Sequence, residues 1–188
     1  MSFSPSFLAL QQATDALCRE EVIACPTEAV WGLSCDPDSQ AAVTRLLQIK
    51  QRPESKGLIL VAAHIDQLDN LLAGLDPGQL DTLQATWPGP ATWLLPHRDR
   101  VPSWVCGTHD TVAVRVTDHP VVSALCIAWG GPLVSTSANP GGALPAREAF
   151  QVRRYFGDSV SCFMPGRVGS LARPTAIRHL VSGDIVRS

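Results

Sequence analysis

Short apolar runs, each bounded by proline, glycine or a polar loop, alternate along this chain with stretches whose apolar residues recur at helical spacing. Val22-Ile23-Ala24-Cys25 stops at Pro26, Leu58-Ile59-Leu60-Val61 follows Gly57, and Leu133-Val134 runs into Ser135-Thr136-Ser137. Four apolar residues in a row read as a strand buried on both faces. Between such runs, Ser39 caps a helical pattern carrying Val43, Leu46, Leu47 and Ile49 and ending near Lys50, and Pro120–Trp129 reads as another helix. Ser4-Pro5 opens a first helix with Leu8, Leu10, Ala13, Leu17 and Cys18 turned inward; shorter helical patterns lie around Ile65–Leu72 and Gly78–Thr86. A last helix runs from Pro145 or Ala146 to about Phe156. Thr92–Leu95, Thr111–Val116, Leu133–Ser137, Ser161–Met164, Ala176–His179 and Ile185–Arg187 complete the strands, and Trp87-Pro88-Gly89-Pro90 is a rigid turn. This alternation predicts an α/β domain with a largely covered, mixed sheet. With no repeat and no long linker, residues 1–188 read as one domain.

The chain is 45% hydrophobic and 17% charged, against roughly 25% charged in an ordinary globular protein, which excludes disorder. A net charge of −2 excludes a basic nucleic-acid coat. The charge is nevertheless uneven: residues 1–118 carry −6 and residues 119–188 carry +4, so the last third could meet an anionic partner. Six cysteines form no CxxC pair, and five sit among apolar or small residues, as buried thiols do. Met1-Ser2-Phe3-Ser4-Pro5 lacks the pattern of a signal peptide, and no apolar run approaches the ~20 residues that span a bilayer. The expected setting is the cytoplasm, with no membrane partner.

Only two lysines occur, Lys50 and Lys56, and they bracket Arg52 in Lys50-Gln51-Arg52-Pro53-Glu54-Ser55-Lys56-Gly57; the other positive charges are thirteen arginines. Compact ammonium groups and a planar guanidinium within seven positions suit a polyphosphate. A solvated helix C-terminus would explain the same cluster. Three further segments stand where strands end, the position of binding sites in α/β folds. Thr27, in Pro26-Thr27-Glu28, offers a hydroxyl that either caps a turn or meets a ligand. In Thr111-Val112-Ala113-Val114-Arg115-Val116, alternation puts Thr111, Ala113 and Arg115 on one face. A guanidinium on such a strand needs an anion, either a structural carboxylate or a substrate carboxylate held bidentately. Ser135-Thr136-Ser137-Ala138-Asn139-Pro140-Gly141-Gly142 is a loop of neutral hydrogen-bonding groups. No Walker A sequence, Gly-x-Gly-x-x-Gly, Gly-x-Ser-x-Gly or metal-ligand spacing among the five histidines occurs.

Together these pieces resemble the YrdC/TsaC family, the threonylcarbamoyl-AMP synthases, in the short single-domain bacterial form. The resemblance runs in order through Pro26-Thr27-Glu28 to Gly32, Cys35-Asp36-Pro37-Asp38, Lys50-Gln51-Arg52-Pro53 to Leu60, Trp87-Pro88-Gly89-Pro90, Val112-Ala113-Val114-Arg115 to Pro120, and Pro132 to Asn139. It implies a twisted mixed sheet flanked by helices around a deep, positively charged cavity. It implies that L-threonine, bicarbonate or CO2, and ATP with Mg2+ become threonylcarbamoyl-AMP and pyrophosphate, with no protein-bound metal. That product feeds threonylcarbamoyladenosine formation in tRNA through separate transfer proteins, and whether this chain contacts tRNA itself stays open. Carried over by position, Lys50 and Arg52 are the catalytic candidates. Lys50, Arg52, Lys56, Thr111, Ser137 and Asn139 hold ATP; Thr27, Arg115, Ser135 and Thr175 hold threonine, with Arg115 at its carboxylate. A late Ser-Thr pair of the family is Pro174-Thr175-Ala176 here, so only Thr175 carries over, and Lys56-Gly57 replaces an uncharged residue and proline. The extra C-terminal domain of longer members has no counterpart. Two rival classes are an RNA-binding module without ATP chemistry, and a protein-modifying carbamoyltransferase of the hydrogenase-maturation type, against which the lack of acylphosphatase and zinc-finger segments argues.

Overall fold

A computed structural model describes residues 4–187; Met1–Phe3 and Ser188, the ends of the predicted domain and signal-peptide readings, lie outside them. Among the described residues, nine strands form one mixed sheet: β1 Ile23–Pro26, β2 Trp31–Ser34, β3 Ile59–Ala62, β4 Thr92–Pro96, β5 Thr111–Val116, β6 Leu133–Ser137, β7 Cys162–Phe163, β8 Ile177–His179 and β9 Ile185–Arg187. Their spatial order is β7-β1-β2-β6-β3-β5-β4-β8-β9. The central pair β3 and β5 is parallel, with Ile59 opposite Ala113 and Val61 opposite Arg115. β6 pairs antiparallel with β3, and β4 pairs antiparallel with β5.

Helices α1 Phe7–Cys18, α2 Gln40–Lys50, α3 Asp69–Leu72, α4 Pro77–Gln84, α5 Ser103–Cys106, α6 Pro120–Trp129 and α7 Ala149–Phe156 flank this sheet. The period-2 alternation of strand side chains produces two separate cores. Leu60, Ala62, Val112, Val114, Val116 and Val134 face a large cluster with Val43, Leu46, Leu71, Leu83 and Val152 from α2, α3, α4 and α7. On the other face, Ile23, Cys25, Val61 and Leu133 pack on Ala13, Ala16 and Leu17 of α1 and Val121, Val122, Leu125 and Cys126 of α6. These two helices cover only one end of that face. The uncovered remainder, where Ile59, Ala113 and Ser135 point, is the floor of a cavity.

The predicted α/β class and most elements are present. Several details differ, the short helix α5 among them, which no helical periodicity announces. The N-cap of α1 is Ser6, whose Oγ accepts from the Ala9 N–H at 3.3 Å. Leu8 is 62% exposed, because five residues of helix turn it well off the stripe of Ala13, Ala16 and Leu17; Cys18, at the end of the helix, is exposed as well. β2 went unforeseen because Trp31-Gly32-Leu33-Ser34 is not an apolar run, although all four residues are buried. α7 begins at Ala149, behind a capping box made by Glu148 and Gln151.

Candidate active site

A cavity of about 320 Å³ opens on the uncovered sheet face. Eight of the ten candidates from the sequence line it: Thr27, Arg52, Lys56, Thr111, Arg115, Ser135, Ser137 and Thr175. Lys50 and Asn139 stand behind its wall. The predicted alternation holds, since Thr111, Ala113 and Arg115 all reach the cavity while Val112 and Val114 face the core.

The buried end is built around Arg115. Its Nη2 lies 3.3 Å from Glu28 Oε2, and each side chain is about 7% exposed. Arg115 Nη1 donates to Thr175 Oγ1 at 2.9 Å, and Thr175 is in turn 2.9 Å from Thr92 Oγ1. Glu28 Oε1 accepts from Thr117 Oγ1 at 2.5 Å. Two atoms remain without a hydrogen bond here, Glu28 Oε2 and Arg115 Nε, although both are buried. Thr27 Oγ1 donates to Val30 O at 2.8 Å, tying the β1–β2 turn together. The segment before β8 closes over this turn: Gly169 N donates to Thr27 O and Leu171 N to Glu28 O, at 2.9 and 3.1 Å. A Cβ on Gly169 would lie 2.7 Å from Glu28 O, so the approach needs glycine.

The open end is built on the C-terminus of α2. Gln51 takes a left-handed conformation (φ 52°), and Arg52 N returns to Leu47 O at 3.0 Å, a helix stop that separates Lys50 from Arg52. Lys50 turns inward. Its Nζ donates to Asn139 O at 2.9 Å and to Ser137 O. Burial, and after it the nearby Arg52 charge, pushes the Lys50 ammonium down to about 8. Ser137 Oγ donates to Asn139 Oδ1 at 2.7 Å, and Asn139 Nδ2 donates to Ala143 O at 2.8 Å, so the Ser137–Asn139 loop is held from behind.

Arg52 turns to the cavity and braces the Pro53–Gly57 turn, donating from Nε and Nη2 to Gly57 O at 3.2 and 2.8 Å. Burial lowers its affinity for its proton. Lys56 is exposed at the rim. This turn seats on α5: Leu58 N donates to Val105 O at 2.8 Å, and a Cβ on Gly107 (φ +67°) would lie 2.7 Å from both Glu54 O and Ser55 O.

Sequence reasoning left out Glu28, Cys106 and His109, which also line the cavity. Glu28 was detectable in principle, because the demand that Arg115 makes for an anion has to be met from somewhere. Nothing in the local pattern around Cys106 or His109 marks them; only the packing of α5 on the Lys56 turn brings them there. Among the described residues, no group of three or more His, Cys, Asp or Glu could hold a metal ion.

The Sua5/YciO/YrdC family model, described as telomere recombination, matches residues 15–188. The chain belongs to this family. Among its relatives, the threonylcarbamoyl-AMP synthase of Halorhodospira halophila is 54% identical over 178 residues, covering 95% of this chain and 93% of the relative. That of Pseudomonas paraeruginosa is 57% identical over 166 residues, covering 88% and 89%. The P. abyssi Sua5 structure solved with L-threonine superposes with a TM-score of 0.86 at 28% identity, over 94% of this chain and 52% of that one. Within the family, then, this chain spans about half the length of the Sua5 member and nearly the full length of the short synthases.

Proposed function

We infer that this family member is an L-threonylcarbamoyladenylate synthase: it makes threonylcarbamoyl-AMP and pyrophosphate from L-threonine, bicarbonate or CO2, and ATP, for t6A modification of tRNA. The observation that carries this reading is one cavity with two unlike ends, supported by relatives of that name at 54% and 57% identity over most of both chains. An end holding a paired guanidinium and carboxylate suits an amino acid. An end holding Arg52 and Lys56 suits a polyphosphate.

In this reading the threonine amine takes up a carboxyl group, and a carbamate oxygen attacks the α-phosphorus and expels pyrophosphate. No covalent protein nucleophile is needed. The chain aligns two anions and neutralises charge on the departing pyrophosphate. Arg52, Lys56, Thr111 and Ser137 face the nucleotide. Lys50 and Asn139 serve it by fixing the Ser137 loop from behind. Arg115 takes the threonine carboxylate, with Thr27, Ser135 and Thr175 around the rest of the amino acid. Magnesium enters with ATP as part of the substrate. Carbamates and acyl phosphates are lost to water, so the burial of Arg115 and Thr175 protects the intermediate.

Downstream, threonylcarbamoyl-transfer proteins consume the product. Six free cysteines, four of them buried, suit the reducing cytoplasm, and no helix among the described residues is long and apolar enough to cross a membrane. Residues 1–188 act as one domain. The test is pyrophosphate release from ATP with magnesium, bicarbonate and each of the twenty amino acids in turn. Release that needs both threonine and bicarbonate is expected. Silence with all twenty from a folded sample would overturn the reading and leave the RNA-binding alternative to test.

A further inference from the structure

The threonine end of the cavity contains an equal balance of charge, and that balance selects its ligand. A lone buried Arg115 would fit any small carboxylate. Glu28 stands beside it at 3.3 Å and cancels its charge, so a simple anion entering here would compete with Glu28 and leave that carboxylate buried without a cation. A zwitterion has no such difficulty. Its carboxylate replaces Glu28 as the partner of Arg115, and its ammonium replaces Arg115 as the partner of Glu28. The hydrogen bonding is arranged for this exchange. Thr117 holds Glu28 by Oε1, which keeps the carboxylate in place, while Oε2 has only the ion-pair contact. Thr175 holds Arg115 by Nη1, while Nε has no partner. One buried acceptor engaged only by the ion pair, and one buried donor without a hydrogen bond, thus stand on neighbouring side chains that line the cavity.

We propose that Glu28 is the catalytic residue that receives the substrate ammonium and takes its proton as the amine is carboxylated. The assignment rests on the synthase reading and extends it by naming the group that meets the amine. At neutral pH the α-amino group enters protonated and cannot act as a nucleophile. Glu28 accepts one N–H proton and becomes a carboxylic acid; the freed lone pair forms the N–C bond to bicarbonate carbon. The C–OH bond breaks, and its hydroxide leaves as water with a second N–H proton. Threonine ammonium plus bicarbonate thereby becomes carbamate, water and one proton, which is the proton on Glu28. It returns to solvent when the product departs.

The experiment compares the binding of L-threonine with that of its 2-hydroxy analogue, 2,3-dihydroxybutanoate of matching configuration, by calorimetry on the wild-type chain and on Glu28→Gln. ATP binding is measured alongside as the report on folding. An ammonium–carboxylate contact is a charge-assisted hydrogen bond, so wild type is expected to prefer threonine by about tenfold or more, and Glu28→Gln by less than about threefold. Threonine-dependent pyrophosphate release should fall by about 10²-fold or more in the variant, the usual loss for a removed general base. If Glu28 merely orients Arg115, the variant weakens both ligands equally and keeps the preference, which overturns the proposal. Should Glu28→Gln lose ATP binding too, Thr117→Val replaces it: a narrowed preference is expected, and an unchanged one overturns the assignment. A wild-type chain that releases pyrophosphate with threonine but binds both ligands alike defeats the Glu28 role alone. A wild-type chain that neither binds threonine nor turns it over defeats the synthase reading, and the assignment with it.

Discussion

At one end of the cavity Arg115 and Glu28 are each about 7% exposed and already face one another, whereas at the other end Lys56 is exposed and Arg52 half-buried, and neither has an ion-pair partner among the described residues. The difference follows from where the two ends lie. Arg115 sits on a central strand beneath the segment that runs over the β1–β2 turn, where an unpaired charge would cost several kcal/mol. Arg52 and Lys56 sit past the stop of α2, where water can hydrate them. The buried end is therefore preorganised and close to neutral, and the open end is cationic and screened by salt. Under the proposed function, selectivity for the amino acid would belong to the first, and electrostatic capture of the nucleotide to the second.

The sharpest way to break this contrast is Arg115→Ala. It leaves Glu28 buried and unpaired, so stability should drop by roughly 3 kcal/mol or more and threonine-dependent turnover should vanish. Chemical denaturation and pyrophosphate release check the two parts, and ATP binding that survives keeps the ends separable. Next in size is Arg52→Ala, expected to reduce adenylate formation by about 10²-fold or more with the fold retained, since it removes the cation proposed to meet the phosphates and the brace of the Gly57 carbonyl. Turnover within a few-fold of wild type would remove Arg52 from the nucleotide site.

Lys50 provides a pH test. Its ammonium is held down to about 8, against an ordinary value of 10.5, by burial and then by Arg52. Below about pH 8 the charged group clamps the Ser137 and Asn139 carbonyls; above it the charge is lost and the clamp weakens. The KM for ATP should therefore rise on the alkaline side with a midpoint near 8, and Lys50→Arg should abolish that limb, because guanidinium keeps its proton. An unchanged limb in Lys50→Arg would assign the titration elsewhere. The smallest effect is expected for Lys56→Ala, about tenfold in ATP affinity at low salt and less at high salt, as befits an exposed charge. A salt-independent loss would mean that Lys56 is drawn into a desolvated contact when ATP binds.

Much of this site was legible one residue at a time. The alternation in Thr111–Val116 puts Arg115 on one face with Thr111 and Ala113, and Thr27 and Ser135 stand where strands end; the fold brings all of them to the cavity. What could not be read was how these residues pair. Whether the anion for Arg115 would be a protein carboxylate or a substrate was left even by its strand, and the protein supplies Glu28, 87 positions away in sequence. Lys50 and Arg52 looked like one cluster, yet the left-handed turn at Gln51 sends one behind the wall and the other into the cavity. β2 was invisible for a related reason: Gly32 and Ser34 are buried in the fold, but neither carries the apolar signal by which a strand is recognised.

Local pattern was enough for the α/β class, the two faces of Thr111–Val116, the helix cap at Ser39 and the helix that opens at Pro120, because periodicity and residue type are local properties. Tertiary structure decided which charges meet. α1 and α6 cover only one end of a sheet face, the segment at Gly169 closes on Glu28, and α5 seats the Lys56 turn. Each of these brings together residues far apart in the chain, and the balance between burial and charge at such meetings depends on every neighbour at once.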